Sequence, residues 1–122
     1  MDEERKTTKK FRKELNAGIV SLILLAILDR AAEPMYGYQI AKSIESSDQD
    51  VSMMKQGALY PVLRSLESAG LASSRVEPSV SGPPRRYYEI TDRGRATLAE
   101  WTQIWMNTSR IVTSVLGGGN ND

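Results

Sequence analysis

The sequence predicts a mainly α, α+β fold, a winged helix-turn-helix flanked by N- and C-terminal dimerisation helices. Three observations predict it. A short helix, a polar turn and an amphipathic helix ending at Gly70 follow one another between Tyr36 and Gly70. Two runs of strand-forming residues follow, split by a stretch of Pro, Ser and Gly. The segments on either side carry more apolar surface than so small a domain can cover alone.

The chain has 122 residues, enough for one domain and one core. Its 40% hydrophobic and 25% charged residues are ordinary for a globular protein, so fold class must come from pattern. The net charge of +1 gives no whole-molecule reason to bind nucleic acid; any basic footprint must come from placement. Cysteine and histidine are absent. That removes disulfides, Cys or His metal sites, thiol nucleophiles and histidine-assisted catalysis. No acidic cluster suggests a carboxylate metal site, and no cofactor is called for. An enzyme is therefore not expected, and the lack of cysteine fits a cytoplasmic setting.

Residues 1–14 read as a basic N-terminal arm, mobile or partly helical, with Arg5, Lys6, Lys9, Lys10, Arg12 and Lys13 among four acids. It reads equally as a solvated terminus and as a segment touching DNA. The DNA-binding domain is expected over 15–92. Leu15 to Ala32 is its first helix, apolar on nearly all sides and so in need of cover on nearly all sides. Its most apolar run, Ile19 to Leu28, falls short of the roughly 20 residues a membrane span needs. No membrane partner is expected.

Pro34 ends that helix. Tyr36 to Ser46 forms the second helix, and Ser47 to Ser52 a turn. In the third helix, Lys55 to Ala69, Leu59, Val62, Leu63 and Leu66 stand at i, i+3, i+4 and i+7, one buried face. Gly70 suits a left-handed cap. Pro61 is tolerated best in a first turn, which puts the start of regular helix near Lys55 to Gly57.

Leu71–Glu77 and Arg85–Thr91 read as strands. Pro78 to Pro84 between them is too long for a two-residue hairpin and is expected to be an exposed, flexible loop. Thr91 or Asp92 caps a last helix, a dimerisation helix over 93–116. There Leu98, Trp105 and Val112 are seven apart, with Trp101, Thr108 and Val115 in a second row, as at a helix–helix contact. Residues 117–122 read as a disordered tail.

The third helix of such a unit fits the major groove. Opposite its apolar stripe, Gln56, Tyr60 and Arg64 recur every four residues, with Lys55 leading. Gln can bond adenine and Arg guanine bidentately, while Tyr, Lys and Arg bond phosphates. Any surface helix has a polar face, so this face alone favours plain solvation. In the wing, adjacent Arg85 and Arg86 point to opposite faces of a strand, so one can approach a phosphate while the other packs or pairs.

Four blocks resemble the PadR family of transcriptional regulators: Tyr36-Gly-Tyr-Gln-Ile40, Gly57-Ala-Leu-Tyr-Pro-Val-Leu63, Leu66-Glu67 with Gly70, and Gly82-Pro-Pro-Arg-Arg-Tyr-Tyr-Glu-Ile-Thr91 with Gly94. They come in the family's order. The resemblance implies a homodimer, usually a repressor, on inverted-repeat double-stranded DNA, with the C-terminal helix packed on the partner's first helix. It resembles the short members with a single C-terminal helix. The expected DNA-binding residues are Tyr36, Tyr38, Lys42, Lys55, Gln56, Gly57, Tyr60, Arg64, Arg85 and Arg86. The expected dimer residues are Leu15, Ile19, Leu22, Leu98, Trp105, Val112 and Val115. In drug-binding members a tryptophan of the C-terminal helix stacks on planar ligands at the dimer interface. Trp105 falls at that position and Trp101 one turn before it. A planar aromatic or cationic ligand at the interface stands beside plain interface packing as the role of Trp105. Ala58 departs from the family's usual Thr or Ser. The rival reading of the chain is a winged-helix ligand-binding or protein-interaction module with no role in transcription.

Overall fold

A computed structural model describes residues 2–47 and 56–117 of the chain. The elements run α1 (Asp2–Arg30), β1 (Met35–Tyr36), α2 (Gly37–Ser47), α3 (Gln56–Ser68), β2 (Ala72–Ser79), β3 (Gly82–Ile90) and α4 (Asp92–Leu116).

The arm, expected to be mobile or partly helical, is helical from Asp2 and continuous with α1, a helix of 29 residues. Local chemistry accounts for this. Residues 2–17 hold no Gly or Pro and are rich in Glu, Lys and Arg, which are good helix formers. The acids at positions 2–4 stand where the helix dipole favours negative charge. Lys10 and Glu14 add an i,i+4 pair at 4.0 Å.

The small antiparallel sheet has the order β1-β3-β2. Sequence reasoning missed β1, a two-residue strand pairing Met35 with Tyr88 and Tyr36 with Tyr87. It also overstated the loop: β2 and β3 extend until only Val80 and Ser81 join them. Pro78 lies where the β2–β3 register shifts, between Glu77 and Ser79. A proline has no N–H for the ladder, so an irregularity on an edge strand accommodates it. The prolines that suggested a loose loop therefore sit in a paired hairpin with one irregularity at Pro78.

Gly70 takes φ +80°. Leu71 N–H bonds the Leu66 carbonyl and Gly70 N–H that of Glu67, each at 2.9 Å, closing α3 as a Schellman motif. Pro61 lies within α3 and is exposed. Thr91 is the N-cap of α4. Its hydroxyl accepts from Gly94 N–H at 2.9 Å and donates to the Gly70 carbonyl at 2.7 Å, tying the start of α4 to the end of α3. Gly94 is buried, and a Cβ there would meet the Leu71 backbone and Ile90 Cγ1.

The core gathers one face of every helix on the sheet. Leu24 and Leu25 of α1, Ile40 of α2, and Leu59 and Leu63 of α3 are fully enclosed with Tyr88 of β3. Leu98 and Trp101 of α4 pack against this core. Arg95 of α4 bridges to Asp29 of α1 at 3.6 Å and to Asp92 at 2.8 Å. Beyond Trp101, α4 leaves the core.

Candidate nucleic-acid interface

The helix-turn-helix pair is α2 and α3. Tyr36 stands just before α2, and its N–H donates to Gln39 Oε1 at 3.1 Å. A glutamine three residues into a helix commonly satisfies the N–H of the capping residue in this way. Gly37 follows, and Tyr60 of α3 lies against it. A Cβ on Gly37 would fall 2.8 Å from Tyr60 Cζ and closer still to its hydroxyl. The Tyr-Gly-Tyr and Leu-Tyr-Pro blocks are thus one contact, made possible by a missing side chain.

The expected DNA-binding residues divide accordingly. Tyr38 and Lys42 of α2 are exposed, as are Arg64 and Ala58 of α3. Tyr60 is half-buried and packs on the core, so it braces α3 as well as bordering its open face. Gln56 and Gly57 occupy the first two positions of α3. Lys55 lies outside the described residues, as do part of the expected turn over 47–52 and residues 118–122 of the expected tail.

The two wing arginines face opposite ways, as alternation along a strand requires. Arg86 shares the core-side face with Tyr88. Its Nη1 donates to Ser74 Oγ at 3.0 Å, and Ser74 Oγ donates to Glu67 Oε2 at 2.8 Å. This relay fastens β3, β2 and α3 together. Sequence reasoning missed it because Glu67, Ser74 and Arg86 belong to three separate elements. Tyr88 is buried among these groups. Burial raises its phenol pKa above the ordinary 10, with the Glu67 charge in the same direction and Arg86 opposing.

Arg85 lies on the outer face of the sheet, its Cζ 4.4 Å from the centroid of the Tyr36 ring. Tyr36 also meets Tyr87 edge-on, centroids 5.3 Å apart at 69°. On the same face Arg75 bonds Glu77, its Nη1 lies 3.4 Å from Glu89, and both contacts hold its guanidinium charged.

The expected dimer residues also divide. Leu98 packs on the chain's own core, as does Trp101. Ile19 and Leu22 are half-buried. Leu15, Trp105, Val112 and Val115 are exposed, Trp105 at 43% and Val115 at 80%. Ile104 and Ile111 extend the same stripe, at 61% and 64%. This apolar row lies open to solvent along α4. No helix among the described residues is long and apolar enough to cross a membrane, and no acidic group there is arranged to hold a metal ion.

This architecture has known counterparts. The sequence pattern of the PadR-like transcriptional regulator family matches residues 24–100. A PadR family transcriptional regulator from Eggerthella lenta superposes with a TM-score of 0.77 at 30% identity, covering 99% of this chain and 100% of its own. A PadR-like transcriptional regulator from Bacillus cereus gives 0.68 at 28% identity, over 84% and 96%. An uncharacterized protein of Lysinibacillus sphaericus is 30% identical over 98 residues, 80% of this chain and 87% of its own.

Proposed function

The chain belongs to the PadR-like family of transcriptional regulators, and from that premise we propose that it is a homodimeric repressor of an inverted-repeat operator. One observation carries this reading: the apolar stripe of α4 that its own protomer leaves bare, beside a helix-turn-helix whose α3 turns Arg64 to solvent. A second copy packed on the stripe places two α3 helices about a two-fold axis. They meet successive major grooves about 34–36 Å apart. The exposed Arg64 reads a base edge, while Tyr38 and Lys42 bond phosphates. The protein works on DNA in the cytoplasm.

A footprint on the DNA upstream of its own coding sequence tests the reading. Protection of two related half-sites, weakened by salt, is the expected result. Protection that ignores sequence removes it. Arg64→Ala is expected to weaken operator binding about tenfold per half-site, the scale of one bidentate base contact, with an unchanged melting curve. Equal affinity takes Arg64 out of the interface.

The same stripe supports an inducer site. Trp105 projects from it, so the two indoles of a dimer come to face one another. They form a slot for a planar aromatic or cationic ligand. Trp101 is half-buried beside the core and serves as the wall of that slot. In Trp105→Ala, quenching of the remaining tryptophan by a planar cationic dye such as ethidium is expected to vanish while the dimer persists. A mutant that dissociates assigns Trp105 to packing alone. Tight dye binding with no selective DNA binding by the wild type assigns the whole chain to ligand binding without transcription.

A further inference from the structure

The Tyr36 ring and Arg85 suggest a division of labour in the wing that rests on the DNA-binding reading above. Arg85 is opposite Glu77 in the β2–β3 register, so an ion pair between them is the expected arrangement. Glu77 is instead bound by Arg75, which also bridges to Glu89. One arginine thus engages both carboxylates of that face. Arg86 is turned to the other face and held by Ser74. Among the described residues, Arg85 alone of the three hairpin arginines makes no hydrogen bond or ion pair. It lies over the face of Tyr36, at 4.4 Å.

That seat is itself fixed. Tyr36 pairs with Tyr87 in the sheet, meets the Tyr87 ring edge-on, and has its N–H bound by Gln39 at the start of α2. A planar guanidinium stacked on a ring keeps donors at its edge free, and its stem loses rotamer freedom before any ligand arrives. We propose that Tyr36 is a positioning residue, whose ring and not its hydroxyl holds Arg85 ready for a DNA phosphate. Because Tyr36 sits where the sheet meets α2, the phosphate contact of the wing is set relative to the helix-turn-helix and not to the hairpin tip.

The test measures affinity and its salt dependence for the full-length protein. The probes are a 40-base-pair duplex from upstream of its own coding sequence and an unrelated duplex of equal length. Arg85→Ala is expected to lower the magnitude of the slope of log K against log salt by about 0.9 for each protomer bound, the value for one lost phosphate contact apiece. Tyr36→Phe keeps the ring and retains more affinity than Tyr36→Leu. Tyr36→Leu loses about two- to fivefold on both probes for each protomer bound, the range of an exposed cation–π contact. In an Arg85→Ala background Tyr36→Leu adds no further loss. Melting curves identify any variant that loses binding by unfolding, and the Phe variant keeps the comparison open in that event. Equal losses in the Phe and Leu variants overturn the proposal by assigning the role to the hydroxyl, as do additive losses in the double variant. A wild type that binds neither duplex ends the DNA-binding reading and this inference with it. A wild type that binds while Tyr36→Leu matches it ends only the inference.

Discussion

Ile111→Glu is expected to give a folded monomer with at least about 100-fold weaker operator binding. The side chain is 64% exposed on its own protomer, so a carboxylate there is solvated when the chain is alone. In the proposed dimer the stripe lies at the interface, which changes that. Two carboxylates, one from each copy, then lose water without a partner, which costs several kcal/mol per charge. Few interfaces built on one helix pair withstand that. The operator loss follows from linkage. One half-site bound by a tethered second copy gains about 10²–10⁴ over an independent one. Light scattering at micromolar protein, with a shift assay on the same sample, measures both effects. Unchanged dimer mass with unchanged affinity rules out the α4 stripe as the interface.

Gly94→Ala is expected to destabilise the fold by about 2 kcal/mol, although alanine is the better helix former. The added methyl would run into the Leu71 carbonyl, 3.0 Å from its carbon, and would stand 2.7 Å from Ile90 Cγ1. Leu71 cannot retreat, because its N–H closes α3 and its carbonyl accepts from Thr91 N–H at 3.1 Å. Overpacking of this kind costs about 3 kcal/mol. Helix propensity returns at most about 1 kcal/mol. The net corresponds to a fall in Tm of roughly 8 °C. Thermal unfolding by circular dichroism measures it, and a Tm equal to or above that of the parent shows that the helix start can shift to make room.

These residues also show how far the sequence was legible. Periodicity placed α3 and α4 well because each carries one apolar stripe and one recognisable cap, Thr91 at the start of α4 and Gly70 at the end of α3. The PadR resemblance rested on four blocks. The structure gives several a physical reason: Gly37 admits Tyr60, Gly94 admits Leu71, and the Arg-Tyr-Tyr strand supplies Arg85, Arg86 and Tyr88. Three features were not legible. β1 is two residues long and exists only because Tyr87 and Tyr88 pair with it. The basic arm merges into α1 because charged helix formers need no apolar stripe to continue a helix already begun. The hairpin tightens around prolines that, read locally, mean loop. Each depends on partners distant in sequence, where single-residue preference is a weak guide.

The prolines of the hairpin have one more consequence. β1 covers β3 only at Tyr87 and Tyr88, so the rest of that side of β3 is an unpaired rim, and β2 forms the opposite rim of the sheet. A long bare rim invites another chain to add a strand and start a fibre. Here one of the adjacent Pro83 and Pro84 removes a donor from one rim and Pro78 interrupts the other, while Arg85 and Arg86 add like charges beside them. The hairpin can project from the domain without acting as a template for aggregation.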